Sequence, residues 1–368
     1  MAEMIVLAAT MLLVGALMYY LPVMKGPDGF FGIPVSDEFY QGPIARGRLM
    51  AYRLITVLLV AGGAACLLNA PALGLATPGG VLTIMLVAFL GPMVPLIVIW
   101  RGLRPHEARP ELPAEGVREE QPDDRWRFVS PSVEVLLLGG LLVLLGLTVW
   151  RYPALPERIP IHWNAAGQAD GWTSKSPWPL ASLLVMLAFM HGMLLALVVG
   201  MGQLRVRLPA QRAEEYREAR ERYLRVSAQG MNALRIGILV MFSGIIWASV
   251  FGIERQAEGV APPGMTMVWI GTAILLLSIV WLIARGVQVR REMREIAGPG
   301  MLESAAPTAG WVWGMFYCNR DDPSLWVEKR LGIGWTVNFA HRAAWVIVGL
   351  AVGIPLGVAA LALLAGNQ

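Results

Sequence analysis

The sequence predicts an all-α polytopic membrane protein, a helix bundle of about eight spans with a structured extracytoplasmic loop and a structured cytoplasmic loop. Three observations predict it. Hydrophobic residues make up 56% of the 368 and charged residues only 15%, whereas a soluble domain carries roughly 25% charged residues. Apolar runs of membrane-crossing length recur along the chain. Lys and Arg collect in alternate loops between those runs. This composition excludes a disordered chain, a small disulfide scaffold and an ordinary cytosolic enzyme.

A span needs about 20 mostly apolar residues. Such runs lie at Met4–Leu21, Leu54–Leu68, Val81–Trp100, Ser132–Trp150, Pro179–Met201, Ile236–Ile253, Thr266–Ala284 and Ala343–Ala365. The second is short and is expected to begin near Ala51. The third contains Pro92 and Pro95 and is expected to kink. No Lys or Arg precedes the first run, Glu3 is acidic, and no Ala-x-Ala site follows it. It therefore reads as a retained helix, not as a signal peptide. In the last run Gly349, Gly353 and Gly357 give one flat face, read as a helix-packing face, with a homodimer seam as the second reading.

The loops after the first, third, fifth and seventh runs hold roughly 26 of the 30 Lys and Arg residues. The other side keeps only Arg151, Arg158, Lys175 and Arg255. Basic loops stay cytoplasmic, so both termini are expected outside. The chain then divides into a three-span block (1–102), a polar linker (103–131), a two-span unit (132–201) with an outer loop at 151–179, a charged helix with two further spans (202–300), and an accessory segment with the last span (301–368).

The linker is rich in Pro and acidic residues and reads as a solvated connector. Ala210–Gly230 reads as a charged cytoplasmic helix, with Glu218 and Glu221 four residues before Arg222 and Arg225. It is expected to be a membrane-surface or solvated helix, with docking of a cytoplasmic partner as the second reading. The outer loop is the most informative stretch. Pro153, Pro156 and Pro160 forbid a regular helix. Asn164–Gly167 and Ala169–Gly171 carry turn chemistry. Trp150, Tyr152, Trp163, Trp172 and Trp178 supply rings that favour a membrane–water boundary. A compact, folded loop is expected.

The loop also carries a motif: Leu155, Pro156, Ile159, Pro160, His162, Trp163, Asn164, Gly167, Asp170 and Lys175, flanked by two spans. In these residues the chain resembles the SdpI-like membrane family, catalogued as domain of unknown function 1648, over roughly Val133–Gly200. The best-known member of that family is an immunity protein that protects a cell from its own secreted toxin peptide and helps signal through a repressor. Trp311–Trp345, with Gly314, Tyr317, Asn319, Asp322, Pro323, Lys329, Arg330, Gly332, Gly334, Trp335, Asn338 and Phe339, resembles an uncharacterised accessory domain that accompanies the family. The resemblance implies a bacterial plasma membrane. The chain departs from the shorter immunity protein in its N-terminal helices, in this accessory segment, and in lacking that protein's C-terminal half.

In the outer loop His162, Trp163, Asn164, Asp170, Trp172 and Lys175 are the candidate ligand-binding residues. The alternative is that His162 and Asp170 brace turns by bonding backbone groups. One His and one Asp fall short of a metal site, which needs three or more ligands; no metal or cofactor is implied, and no catalytic residue is assigned. His191 is the only ionisable residue deep in a clear span, and such a residue defaults to a functional hypothesis. Glu134 sits near a helix end and is expected to reach water, leaving no paired buried charges. Asn319, Asp322, Lys329, Arg330 and Asn338 are candidates for contact with a cytoplasmic partner, and Lys329 and Arg330 for anionic lipid headgroups.

These readings favour a non-enzymatic receptor or immunity-type protein, binding a secreted peptide or envelope ligand outside and a regulator inside. Its other partners are membrane lipids; nucleic acid is not among them. The rivals are a transporter for a small amphipathic molecule and a membrane enzyme acting on lipid or cell-wall precursors, with His162 and Asp170 as acid and base.

Overall fold

The computed structural model describes residues 2–108, 118–120, 124–164, 166–204, 206–208, 212–253, 262–297, 310–332 and 334–366. Its helices are α1 (Ala2–Tyr20), α2 (Asp37–Gln41), α3 (Pro43–Leu68), α4 (Pro78–Leu90), α5 (Met93–Leu103), α6 (Pro131–Arg151), α7 (Pro177–Gly202), α8 (Ala213–Val250), α9 (Gly264–Ala297) and α10 (Arg342–Gly366). Four short antiparallel pairs interrupt them: β1 (Arg118–Glu120) with β4 (Val206–Leu208), β2 (Arg158–Trp163) with β3 (Ala169–Ser174), β5 (Trp311–Val312) with β6 (Phe316–Tyr317), and β7 (Trp326–Glu328) with β8 (Trp335–Val337). Among the described residues seven helical stretches are long and apolar enough to cross a membrane. The eighth expected run forms α10, a 25-residue helix whose fully described part is Arg342–Val358.

Several boundaries move for identifiable reasons. The second span starts at Pro43, not near Ala51, because Gly42 and Pro43 form a ready helix start. The third run breaks between Leu90 and Met93, at Gly91 and Pro92. The charged helix and the sixth span are one 38-residue helix, α8. At 1.5 Å per residue it is about 57 Å long, nearly twice the hydrocarbon thickness of about 30 Å, so its charged part extends beyond a bilayer. Of the polar linker, 109–117 and 121–123 lie outside the described residues.

Two compact units divide the chain. The first comprises Met1–Gln121, Arg205–Arg220 and Val287–His341. Within it α1 packs on α3 and α3 on α4, around Ala8, Met11, Val60, Ala64, Leu67 and Ala88. Small residues let apolar helices approach closely. The loop after α1 and the segment carrying β5–β8 belong to this unit too. They share a core with Phe30, Phe31, Tyr52, Trp100 and Leu331. Gly32 (φ +80°) lies so close to Gly314 (φ +67°) that a Cβ on Gly32 would stand 3.1 Å from the Gly314 Cα. Glu328 on β7 is largely buried among three cations: Lys25 at 3.7 Å, Arg220 at 3.5 Å, and Arg290 in direct contact.

The second unit comprises Pro122–Leu204, Glu221–Gly286 and Arg342–Gln368. Leu137, Leu144, Ile159, Leu180, Leu187, Phe242 and Ile246 lie in its core. Glycines bring α8 and α9 into backbone contact: a Cβ on Gly244 would stand 2.5 Å from the Gly264 carbonyl, and one on Gly271 2.5 Å from the Met241 amide. Arg235 of α8, 2% exposed, forms a two-pronged ion pair with Glu134 of α6 at 2.5 and 2.6 Å. Glu134 reaches water at the helix end, as expected, but it does so paired with a buried arginine that the sequence reading did not anticipate. Arg235 lies inside, because its helix continues unbroken from the charged segment into the span. Gly349, Gly353 and Gly357 meet nothing within 4 Å among the described residues. The expected packing face of α10 is therefore open among the described residues.

Candidate functional site

The β2–β3 hairpin joins α6 to α7. Its lead-in is set by proline: Tyr152–Ala154 forms one 3-10 turn, and Leu155 then runs extended. Ile159 and Thr173 face each other across the ladder and are both buried, which fixes the register on the core side. The ladder is irregular between Pro160 and His162, so Ile161 bulges out and is exposed. Pro160 carries no amide hydrogen, which suits it to such an interruption.

Asn164 makes the turn. Its Oδ1 accepts from the amides of Ala166 (3.0 Å) and Gln168 (3.1 Å), while Gly167 takes a positive φ of +78°. Lys175 fastens the other end. Its Nζ donates to the carbonyls of Pro153 (3.0 Å) and Leu155 (2.7 Å), beneath the Tyr152 ring. Two of the candidate ligand residues thus hold the hairpin to itself. Trp163 is half-buried, and its indole nitrogen lies below the surface.

His162 and Asp170 do something different. They bond each other, Nδ1 to Oδ1 at 2.5 Å, not the backbone groups that the bracing alternative requires. An ionised carboxylate only accepts, so Nδ1 carries the hydrogen and Nε2 is the second face of the ring. The His162 side chain is 62% exposed. Gly171 stands opposite His162 in the ladder, and a Cβ there would come within 2.7 Å of the His162 Cβ. Glycine therefore seats the imidazole. Trp172, 39% exposed and opposite Pro160, and the exposed Ile161 and Trp178 supply apolar surface in the same segment. The dyad can exchange a proton or bond a polar ligand. Among the described residues no three His, Cys, Asp or Glu come together to hold a metal ion.

His191 lies on α7, 7% exposed, with neither ring nitrogen bonded. In the first unit Asn319, Asp322 and Asn338 form one internal network. Asn338 is fully buried; its Nδ2 donates to the carbonyls of Asn319 (2.7 Å) and Asp322 (3.1 Å), and its Oδ1 accepts from the amides of Asn319 (3.0 Å) and Ala340 (3.2 Å). Tyr317 donates to Asp322 at 2.9 Å, and burial pushes its hydroxyl up to about 12. Arg330 is turned inward, paired with Glu107 at 3.1 Å and set over the Trp311 ring. Lys329 is partly buried, and desolvation lowers its ammonium below the usual lysine value. The His162–Asp170 bond and the Arg235–Glu134 pair both escape sequence reading. Eight-residue spacing across a proline-rich turn carries no fixed register, and Glu134 and Arg235 lie 101 residues apart.

Residues 139–188, the hairpin with parts of its flanking helices, match a domain of unknown function, DUF1648. Residues 320–345 match a family of unknown function, DUF5808. No curated protein and no solved structure matches the chain.

Proposed function

We propose that this multi-pass protein is a non-enzymatic receptor of the SdpI-like, immunity-type kind, seated in a bacterial plasma membrane with both termini outside. Its β2–β3 hairpin takes a secreted peptide or other envelope ligand. The observation that carries this reading is the exposed His162–Asp170 dyad beside Ile161 and Trp172, on a hairpin braced by Asn164 and Lys175. A braced surface loses less entropy on binding, and rings next to a polar pair suit an amphipathic peptide. The segment carrying β5–β8 is the surface for a cytoplasmic regulator.

A photo-crosslinking residue in place of Trp172, in native membranes, tests the reading. The expected product is a secreted peptide joined to the hairpin, lost in His162→Ala while the protein keeps its melting temperature. Crosslinks to lipid alone would sink it. The dyad geometry favours one second reading, a membrane enzyme with His162 as base. In that case His162→Ala abolishes turnover of a lipid-linked precursor, and no peptide is captured.

A further inference from the structure

At the opposite end of the second unit a groove of about 450 Å³ opens between the start of α6 and one face of α8. That volume falls in the range of small-molecule sites, roughly 300–1,000 Å³. On α8 the lining residues Arg225, Gln229, Asn232 and Ile236 recur every three or four positions and so form a single stripe. They cover about 16 Å along the axis. The facing wall is Arg127, Phe128, Val129, Ser130 and Val133.

The α8 wall changes character along its length, and the facing wall carries a cation at one end and Val133 at the other. Arg225 and Arg127 stand at the end away from the span, amides and a hydroxyl follow, and Ile236 and Val133 stand where the spans begin. No carboxylate lines the groove. Glu221 pairs with Arg225 itself on the α8 surface, an exposed i,i+4 pair that a phosphate would have to displace, and Glu134 is held by Arg235. Asn232 gives its Oδ1 to Arg235 at 3.3 Å, which leaves its amide hydrogens as the group a ligand would meet. The N-terminal end of α6 adds positive potential, since Ser130 makes no side-chain cap to its own helix. A groove that is cationic at one end, donor-rich in the middle and apolar at the other complements an anionic amphiphile.

We propose that this groove binds a phosphate-bearing amphiphile, an anionic phospholipid, with the phosphate between Arg127 and Arg225 and the acyl chains leaving past Val133 and Ile236. The site is independent of the hairpin and of whatever the hairpin binds.

The test uses the full-length protein, stripped of lipid in detergent, and native mass spectrometry with phosphatidylglycerol, phosphatidylcholine and glycerol 3-phosphate. One phosphatidylglycerol per chain is expected, held at least about tenfold tighter than phosphatidylcholine. Arg127→Gln and Arg225→Gln each weaken it by about fivefold. Ala233→Phe keeps both charges, fills the groove and removes the preference. Arg158→Gln, on the distant hairpin, changes nothing. Lipid-free melting temperatures report folding. Should Arg225→Gln unfold the protein, Arg225→Lys and Ala233→Phe carry the comparison. Equal binding of the two lipids, or an Arg158→Gln loss as large as the groove variants', overturns the proposal. So does glycerol 3-phosphate binding as tightly as the whole lipid, because the apolar half of the groove would then contribute nothing.

Discussion

Asn338 shows how a polar side chain can hold a loop that has almost no regular structure. Four backbone groups on three residues, Asn319, Asp322 and Ala340, depend on its amide. Leaving buried partners unpaired costs about 1–3 kcal/mol per group before relaxation. Asn338→Ala is therefore expected to destabilise the first unit by about 3 kcal/mol, read as a lower melting temperature and faster proteolysis between β6 and α10. Asn338→Asp should not rescue it, because a carboxylate cannot donate to the Asn319 and Asp322 carbonyls. Glu328 is the second keystone. Burial opposes its charge, but Arg290, Lys25 and Arg220 overcome that cost and hold the carboxyl well below the usual carboxylate range. Its stabilisation is full above the unfolded-chain value and is lost as pH falls toward the depressed folded one. Glu328→Gln should lower the melting temperature at pH 7, by the equivalent of about 3 kcal/mol for a broken buried ion cluster. The gap to the native protein should narrow as pH drops below about 4.5. A gap that widens in acid would contradict the assignment of charge.

Glycines that look alike in sequence play opposite parts in different helices. Gly271 of α9 touches the α8 backbone, while Gly349 of α10 faces open space. Alanine gains up to about 1 kcal/mol of helix propensity over glycine at either place. Gly349→Ala should therefore be neutral or slightly stabilising, whereas Gly271→Ala should destabilise, because α9 must move away from α8. Melting temperatures in detergent check both. Loss of a dimer in Gly349→Ala would instead show that a second copy covers that face. Hydropathy, proline and turn residues made most elements legible: the spans, the break at Gly91–Pro92 and the Asn164 turn. It could not show that α8 runs unbroken through both its charged and apolar halves, since Gly230 between them reads as the end of the charged helix. Nor could it distinguish Asn164 and Lys175, which brace the hairpin, from His162 and Trp172, which face outward. All four are polar or aromatic residues in one short loop, and only register separates their roles.

At the scale of the whole chain the decisive property is sidedness, because receptor, groove and regulator surface each require a particular face of the membrane. The asymmetry of the basic residues predicts it. Arg46, Arg48, Arg101, Arg104, Arg222, Arg225, Arg290 and Arg291 flank the same ends of successive spans, and Arg151, Arg158 and Lys175 flank the opposite end of α6 and α7. The two native cysteines allow a direct test. Cys318 is exposed in the segment that includes β5–β8, and Cys66 lies within α3. In a Cys66→Ser background Cys318 should react with a membrane-impermeant maleimide only after permeabilisation. With Cys318→Ser as well, a cysteine placed at the exposed Ser174 of the hairpin should react in intact cells. The reverse pattern would put the dyad on the cytoplasmic side, where a secreted peptide never reaches it. It would also put Arg127 and Arg225 in the outer leaflet, away from the anionic lipids of the cytoplasmic face. Labelling of both positions from outside would mean an even number of crossings between them, leaving α7, α8 and α9 to be recounted. Two labelling reactions thus decide whether the hairpin and the lipid groove face the compartments in which their proposed ligands occur.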